Sequence, residues 1–203
     1  MKVLVVDYKM GNLGSVRRSF EECGAEVTIS NQPKDLENAE KFVLPGVGAF
    51  KDGMARLESE GWVPKIKEAI GDGVPMLGIC LGMQLLAAKG FEGGEISGLN
   101  LIPGEVKRFV PPAENERIPH IGWNEVYSTQ GAVLFDQIPS GTDFYFVHSY
   151  HFVPHDPANI LAETPYCGRF VSAVMADRVF GVQFHPEKSG KPGFALIRNF
   201  LKI

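Results

Sequence analysis

Apolar positions in the first ninety residues alternate between two rhythms. Lys2-Val3-Leu4-Val5-Val6 is a short run with β-branched residues, which predicts a buried strand. A glycine-containing loop follows over residues 7–14. Leu13, Val16, Phe20 and Cys23 then recur at helical spacing with charges between them, and Gly24 closes that helix. Val27 to Ile29 and Phe42 to Leu44 predict two further strands, after which Pro45-Gly46-Val47-Gly48 breaks the chain. Val63, Ile66 and Ile70 mark an amphipathic helix that ends near Gly71 and Gly73. Pro75 to Ile79 predicts a fourth strand, and Leu81 to Ala88 is rich in helix formers.

The second half keeps the strands and loses most of the helices. Val106 to Val110, Asn124 to Tyr127, Asp143 to Val147, Phe170 to Met175 and Val179 to Phe184 all predict strands, separated by Pro, Gly and Asp clusters. A last helix is predicted at about Gly193 to Leu201. The fold class that follows is α/β: a mostly parallel central sheet flanked by helices, with antiparallel strands added in the second half. No repeat, low-complexity tract or linker interrupts the pattern, so residues 1–203 are expected to form a single domain.

Composition narrows the possibilities. The chain has 203 residues, 44% apolar and 22% charged, enough to bury a full core without staples. A net charge of −4 argues against nucleic acid or an anionic membrane as the main partner. The apolar run at residues 3–6 stops at Asp7, too short for a signal-peptide core. Three cysteines, Cys23, Cys80 and Cys167, do not suggest a disulfide framework. A cytoplasmic location is expected.

The chemistry concentrates at Gly78-Ile79-Cys80-Leu81-Gly82, which follows a predicted strand and opens a predicted helix. This is the strand–turn–helix context of a nucleophile elbow, with Cys in place of Ser. Glycines on either side let neighbouring backbone approach the nucleophile, and the helix dipole from Leu81 onward favours thiolate. Cys23 belongs to the apolar face of its helix, and Cys167 reads as a turn residue. Of the five histidines, His185 has the best context for a proton shuttle. It ends the apolar run Phe180-Gly181-Val182-Gln183-Phe184, at the sheet edge where open α/β sheets place reactive groups. Pro186 stops the strand, and Glu187 can fold back to orient the ring.

His-x-Glu also occurs in zinc deaminases, but these need a following Pro-Cys-x-x-Cys, and all three cysteines lie upstream. No metal and no cofactor are therefore expected. Gly46-x-Gly48 lacks the third glycine of a dinucleotide fingerprint, and no phosphate-binding lysine motif is present. Acyl chemistry requires an oxyanion hole. In an elbow one donor is the N–H after the nucleophile, here Leu81, and the other comes from the loop after the third strand, here Pro45 to Phe50.

Together, Pro45-Gly46-Val47-Gly48, Gly78-Ile79-Cys80-Leu81-Gly82-Met83-Gln84 and His185-Pro186-Glu187 resemble the class I, triad-type glutamine amidotransferases in order and separation. The resemblance implies that Cys80 is the nucleophile, His185 the base and acid, and Glu187 the orienter. The oxyanion donors would lie at Leu81 and Val47, with Gly46, Gly48 and Gln84 holding glutamine. Asp7-Tyr8-Lys9-Met10-Gly11-Asn12-Leu13, His120-Ile121-Gly122-Trp123-Asn124, Phe144 to Tyr150 and His185 to Ser189 are similar to the glutaminase subunits of imidazole glycerol phosphate synthases. That likeness implies a place in histidine biosynthesis and a heterodimer with a cyclase subunit built as a (β/α)8 barrel. Ser149 and Tyr150 would then line the glutamine pocket, while Asn12, Trp123, Tyr145 and Lys188 would face the cyclase. The oxyanion loop is expected to rest in a non-productive geometry until that partner binds.

Overall fold

Alternation along the first strand sorts the core into two layers. The computed structural model describes residues 1–111 and 117–203. In it, β1 (Lys2–Val6) sends Val3 and Val5 into one buried cluster and Leu4 and Val6 into the other, as the period of two requires. β3 (Lys41–Gly46) and β4 (Met76–Cys80) repeat this, whereas the edge strand β2 (Glu26–Ser30) packs only Val27 and Ile29, both against the first cluster; the four run parallel in the order β2-β1-β3-β4. One face is covered by α1 (Leu13–Glu22) and α5 (Gly190–Lys202), through Val16, Phe20, Leu196, Ile197 and Phe200. The other is covered by α2 (Phe50–Ser59) and α3 (Trp62–Gly71), through Phe50, Met54, Leu57, Trp62 and Ile66. Each such buried side chain contributes about 1.5–3 kcal/mol of transfer free energy.

Past α4 (Leu81–Gln84) the chain forms β5 (Lys89–Gly90), β6 (Ile96–Ser97), β7 (Gly104–Arg108), β8 (His120–Ser128) and β9 (Thr142–His148). Then come β10 (Tyr150–Pro154), β11 (Ile160–Thr164), β12 (Phe170–Ala176) and β13 (Val179–Val182). β13 is the pivot of the sheet: it pairs parallel with β4 and antiparallel with β12. Beyond it the order runs β12-β10-β7-β5-β6, and a branch leads from β12 through β11 and β8 to β9. The mostly parallel half and the antiparallel additions are therefore both present, joined at one strand.

Several expected boundaries move. The break expected at Pro45-Gly46 comes two residues later, because pairing of Pro45 with Ile79 and Gly46 with Cys80 keeps β3 extended. The helix expected over 81–88 lasts only to Gln84. The carbonyls of Leu85, Leu86, Ala87 and Ala88 instead accept from Leu99, Leu101, Asn100 and Gly98, so a returning loop takes the bonds that a helix would have used. α2 was not anticipated, although Phe50, Met54 and Leu57 share its buried face. β10 and β11 were also unforeseen: Pro154 ends the first and a register shift interrupts the second. Among the described residues, no helix is long and apolar enough to cross a membrane.

Candidate active site

Cys80 is the last residue of β4 and the residue before α4. Its φ of 54° and ψ of −108° lie where non-glycine residues are rare, a strain of about 1–3 kcal/mol that the surroundings must hold. The flanking glycines have a steric cause. A β-carbon at Gly78 would lie 2.7 Å from the Gly82 carbonyl oxygen, and one at Gly82 would lie 1.7 Å from the Leu44 oxygen. Backbone packs against both, so nothing can yield. Because α4 is a single turn, its dipole acts on the sulfur less strongly than the longer expected helix would.

The ring of His185 reaches the site from the segment after β13, the strand beside β4. Its backbone is fixed on both sides: the His185 N–H donates to the Tyr145 carbonyl at 2.9 Å, and the His185 carbonyl accepts from Ser189 Oγ at 2.6 Å. Nδ1 lies 2.8 Å from Glu187 Oε1, and both side chains are almost fully buried. With a carboxylate as partner, Nδ1 carries the proton and Nε2 is left to face the chemistry. Nε2 has no hydrogen-bond partner among the described residues. Burial is the strongest single influence on this ring and disfavours its charge. The hydrogen bond to Glu187 and the charges of Cys80 and Glu187 together outweigh burial and push the imidazole up to about 10. Cys80 is thus near enough to act on the ring, although the sulfur makes its closest hydrogen-bond approaches to the Gln183 amide (3.7 Å) and the Val147 carbonyl (3.9 Å).

Cys80 opens onto a cleft of about 280 Å³ whose walls include Gly48, Leu81, Gln84, Ser149 and Tyr150. Gln84 is 4% exposed and fixed by two bonds from Nε2, to the Tyr150 carbonyl (2.9 Å) and to Gln183 Oε1 (3.0 Å). Gly46, expected to hold substrate, is buried and is not on the cleft wall. It lies beneath Tyr8 and Leu81. Val47 does line the cleft, but its N–H donates to the Met10 carbonyl at 2.7 Å and so does not serve as an oxyanion donor in this conformation. Leu81 opens α4, where the first N–H groups have no intrahelical acceptor.

Three residues of this site were not singled out in the sequence. Gln183 is fully buried and bridges Gln84 to the sulfur. Glu92 brings a carboxylate to the cleft wall while Oε2 accepts the Phe50 N–H at the start of α2 (2.7 Å). His148 stands on the same wall, with Nδ1 2.8 Å from the Tyr150 carbonyl and Nε2 3.1 Å from His120 Nδ1. Burial pushes His148 down to about 3, so it stays neutral and is no second base. The i, i+2 apolar alternation flags none of these; only the partly polar run Gly181-Val182-Gln183 hinted at the first.

Trp123, Tyr145 and Lys188 do come together. Trp123, 57% exposed, meets Tyr145 edge to face across the β8–β9 pair at 6.1 Å, and Lys188 Nζ sits 5.6 Å from the Tyr145 ring. Asn12 is exposed at the N-cap of α1, which packs on the 186–188 turn that carries Lys188. A larger cleft of about 660 Å³, beside Thr129, Asp136 and Lys202, has no cysteine or histidine on its walls.

The model of the glutamine amidotransferase class-I family matches residues 4–203. The chain is 46% identical over 198 residues to the imidazole glycerol phosphate synthase subunit HisH of Moorella thermoacetica, covering 98% of this chain and 93% of the relative. It is 43% identical to the HisH subunit of Geobacter sulfurreducens, covering 98% and 97%. Among solved structures, a glutamine amidotransferase superposes with a TM-score of 0.77 at 18% identity over 98% of this chain and 97% of that one. A glutamine amidotransferase from Thermotoga maritima does so with 0.67 at 21%, over 100% and 83%. At those identities the structural likeness speaks for the fold alone.

Proposed function

We propose, for a chain that belongs to the class I glutamine amidotransferases and aligns over nearly its whole length with HisH subunits, that Cys80, His185 and Glu187 are its catalytic triad. The protein is the glutamine-hydrolysing subunit of an imidazole glycerol phosphate synthase, in histidine biosynthesis. The observation that carries the triad is the buried His185: Nδ1 tied to Glu187, Nε2 uncommitted, and its charge favoured by Cys80.

Cys80 Sγ attacks the side-chain amide carbon of glutamine, and electrons move onto the amide oxygen. Leu81 N–H stabilises that oxyanion, joined by Val47 N–H once it leaves Met10. As the C–N bond breaks, His185 gives its proton to the departing ammonia and a glutamyl thioester remains. His185 then takes a proton from water, which attacks the thioester and releases glutamate. Glu92, the carboxylate on the cleft wall, faces the substrate's α-ammonium, and Gln84, Gly48, Ser149 and Tyr150 shape the rest of the pocket. The whole chain acts as one amidotransferase domain, working in the cytoplasm.

Ammonia in bulk water is protonated and lost, so its consumer must be close. The proposed consumer is a cyclase subunit with a (β/α)8 barrel, docked over Trp123, Tyr145, Lys188 and Asn12. It combines ammonia with a phosphoribosyl-formimino carboxamide ribotide to give imidazole glycerol phosphate and an aminoimidazole carboxamide ribotide. Because the Val47 amide is committed to Met10 in the resting chain, glutaminase activity alone is low and rises when partner and nucleotide bind. The test is glutamate release by the assembled complex with Cys80→Ser: at least about a 10³-fold loss is expected, and a substantially active variant would refute the assignment.

A further inference from the structure

The hydroxyl of Tyr8 is buried without a partner where the proposed reaction needs the backbone to move. Tyr8 follows β1 and is 1% exposed, and its oxygen has no hydrogen bond to any described residue. β1 lies beside β3, and β3 beside β4, so Tyr8, Gly46 and Cys80 are neighbours along the carboxyl edge of the sheet. A methyl group built on Gly46 would lie 2.2 Å from the Tyr8 oxygen, which therefore sits close over that residue's backbone. Burial, with the Cys80 charge behind it, pushes the phenol well above its usual range. The hydroxyl keeps its proton and remains a donor.

Two residues further on, the same loop holds the Val47 amide through the Met10 carbonyl. For Val47 N–H to face Cys80, the Gly46–Val47 peptide must turn over. The peptide unit is planar and rigid, so its N–H and C=O point opposite ways and change sides together. Taking the N–H away from Met10 swings the Gly46 carbonyl toward the loop, where it meets the Met10 carbonyl as acceptor against acceptor. A buried carbonyl in that position requires a donor. Lys9 is already bound to Asp7 at 2.9 Å, whereas the Tyr8 hydroxyl is uncommitted and adjacent.

We propose that Tyr8 is a positioning residue: its hydroxyl, idle in the resting chain, donates to the Gly46 carbonyl after the peptide has turned and holds the Val47 N–H in its working orientation. This rests on the reading of Val47 as an oxyanion donor. It makes the resting and activated states respond with opposite signs to loss of one oxygen atom. In the resting chain, removing an unpaired buried hydroxyl relieves a desolvation penalty. In the activated complex, the same change removes a hydrogen bond.

The experiment is Tyr8→Phe, assayed as the complex with the cyclase and its nucleotide, alongside urea unfolding of the isolated chain. The unfolding midpoint is expected to rise. The stimulated kcat is expected to fall about three- to tenfold, the worth of one neutral hydrogen bond, with KM for glutamine within about twofold. In wild-type protein labelled at tyrosine Cζ, the ¹³C resonance of Tyr8 is expected to shift on assembly with partner and nucleotide. A stimulated kcat equal to that of the wild type overturns the proposal, and so does a midpoint that moves to lower urea, which would mean the hydroxyl is already bonded at rest. A wild-type complex that releases no glutamate overturns the glutaminase reading and this proposal with it; a Tyr8→Phe complex that matches an active wild type overturns this proposal alone.

Discussion

Replacing Glu187 by Gln keeps the shape of the orienting side chain and its acceptor oxygen but removes its charge. The pair lies at 2.8 Å with both side chains under 5% exposed, so water does little to screen it. A hydrogen bond to a charged group contributes about 1.5–3 kcal/mol. At about 1.36 kcal/mol per pKa unit, losing the charge lowers His185 by roughly one to two units from its value of about 10. The sign follows from the direction of the shift. His185 is raised above its free value of 6.5, so protonating it stabilises the fold fully below pH 6.5, and that contribution fades as pH rises through about 10. Glu187→Gln shortens this window from its alkaline side. At neutral pH the variant's ring is still protonated and kcat should change little; at strongly alkaline pH the imidazolium that would protonate departing ammonia is depleted about 10- to 100-fold relative to wild type, and kcat should fall with it. Glutamate release by the complex, followed from neutral to strongly alkaline pH, gives both numbers. If the alkaline limb falls at the same pH in wild type and variant, Glu187 does not set the charge of the ring and its proposed role is wrong.

Gly82→Ala drives a β-carbon into the Leu44 carbonyl at 1.7 Å; a loss of about 3 kcal/mol or more in urea unfolding is expected. Phe144→Ala empties a fully buried site whose ring packs on Phe184 at 4.2 Å, costing about 3–5 kcal/mol by the same measurement. Trp123→Ala should leave stability within about 0.5 kcal/mol. Affinity for the cyclase subunit, read by calorimetry, should fall about 30-fold or more.

The parallel half was legible because β1, β3 and β4 are buried on both faces and written as apolar runs such as Val3 to Val6, with glycines punctuating helix ends. Cys80 and His185 were legible because each ends such a run. Contacts that depend on a distant partner were not legible. Nothing near residue 85 announces that residues 98–102 will take its carbonyl bonds. Glu92 lies in a polar, glycine-rich turn and acquires meaning only when α2 brings Phe50 N–H to its carboxylate. The Val47 amide is spoken for by Met10, which lies in the loop beyond the neighbouring parallel strand and 37 residues earlier in the sequence, and local pattern carries no trace of that bond. The short β10 and the bulged β11 lack the length and regular alternation by which strands are recognised.

The central position of β13 also governs how the molecule comes into being. This strand, made from residues 179–182, is inserted between β4 and β12, both of which precede it on the chain. On the proposed triad, a growing polypeptide that still lacks it carries the Cys80 sulfur without the His185 ring and is expected not to hydrolyse glutamine. The same unfinished product leaves the inner border of β4 without a hydrogen-bonding neighbour, the kind of open border that invites misassembly. Synthesis cut short upstream of residue 179 is therefore expected to leave a fragment with an open strand border and without His185, rather than a leaky half-enzyme.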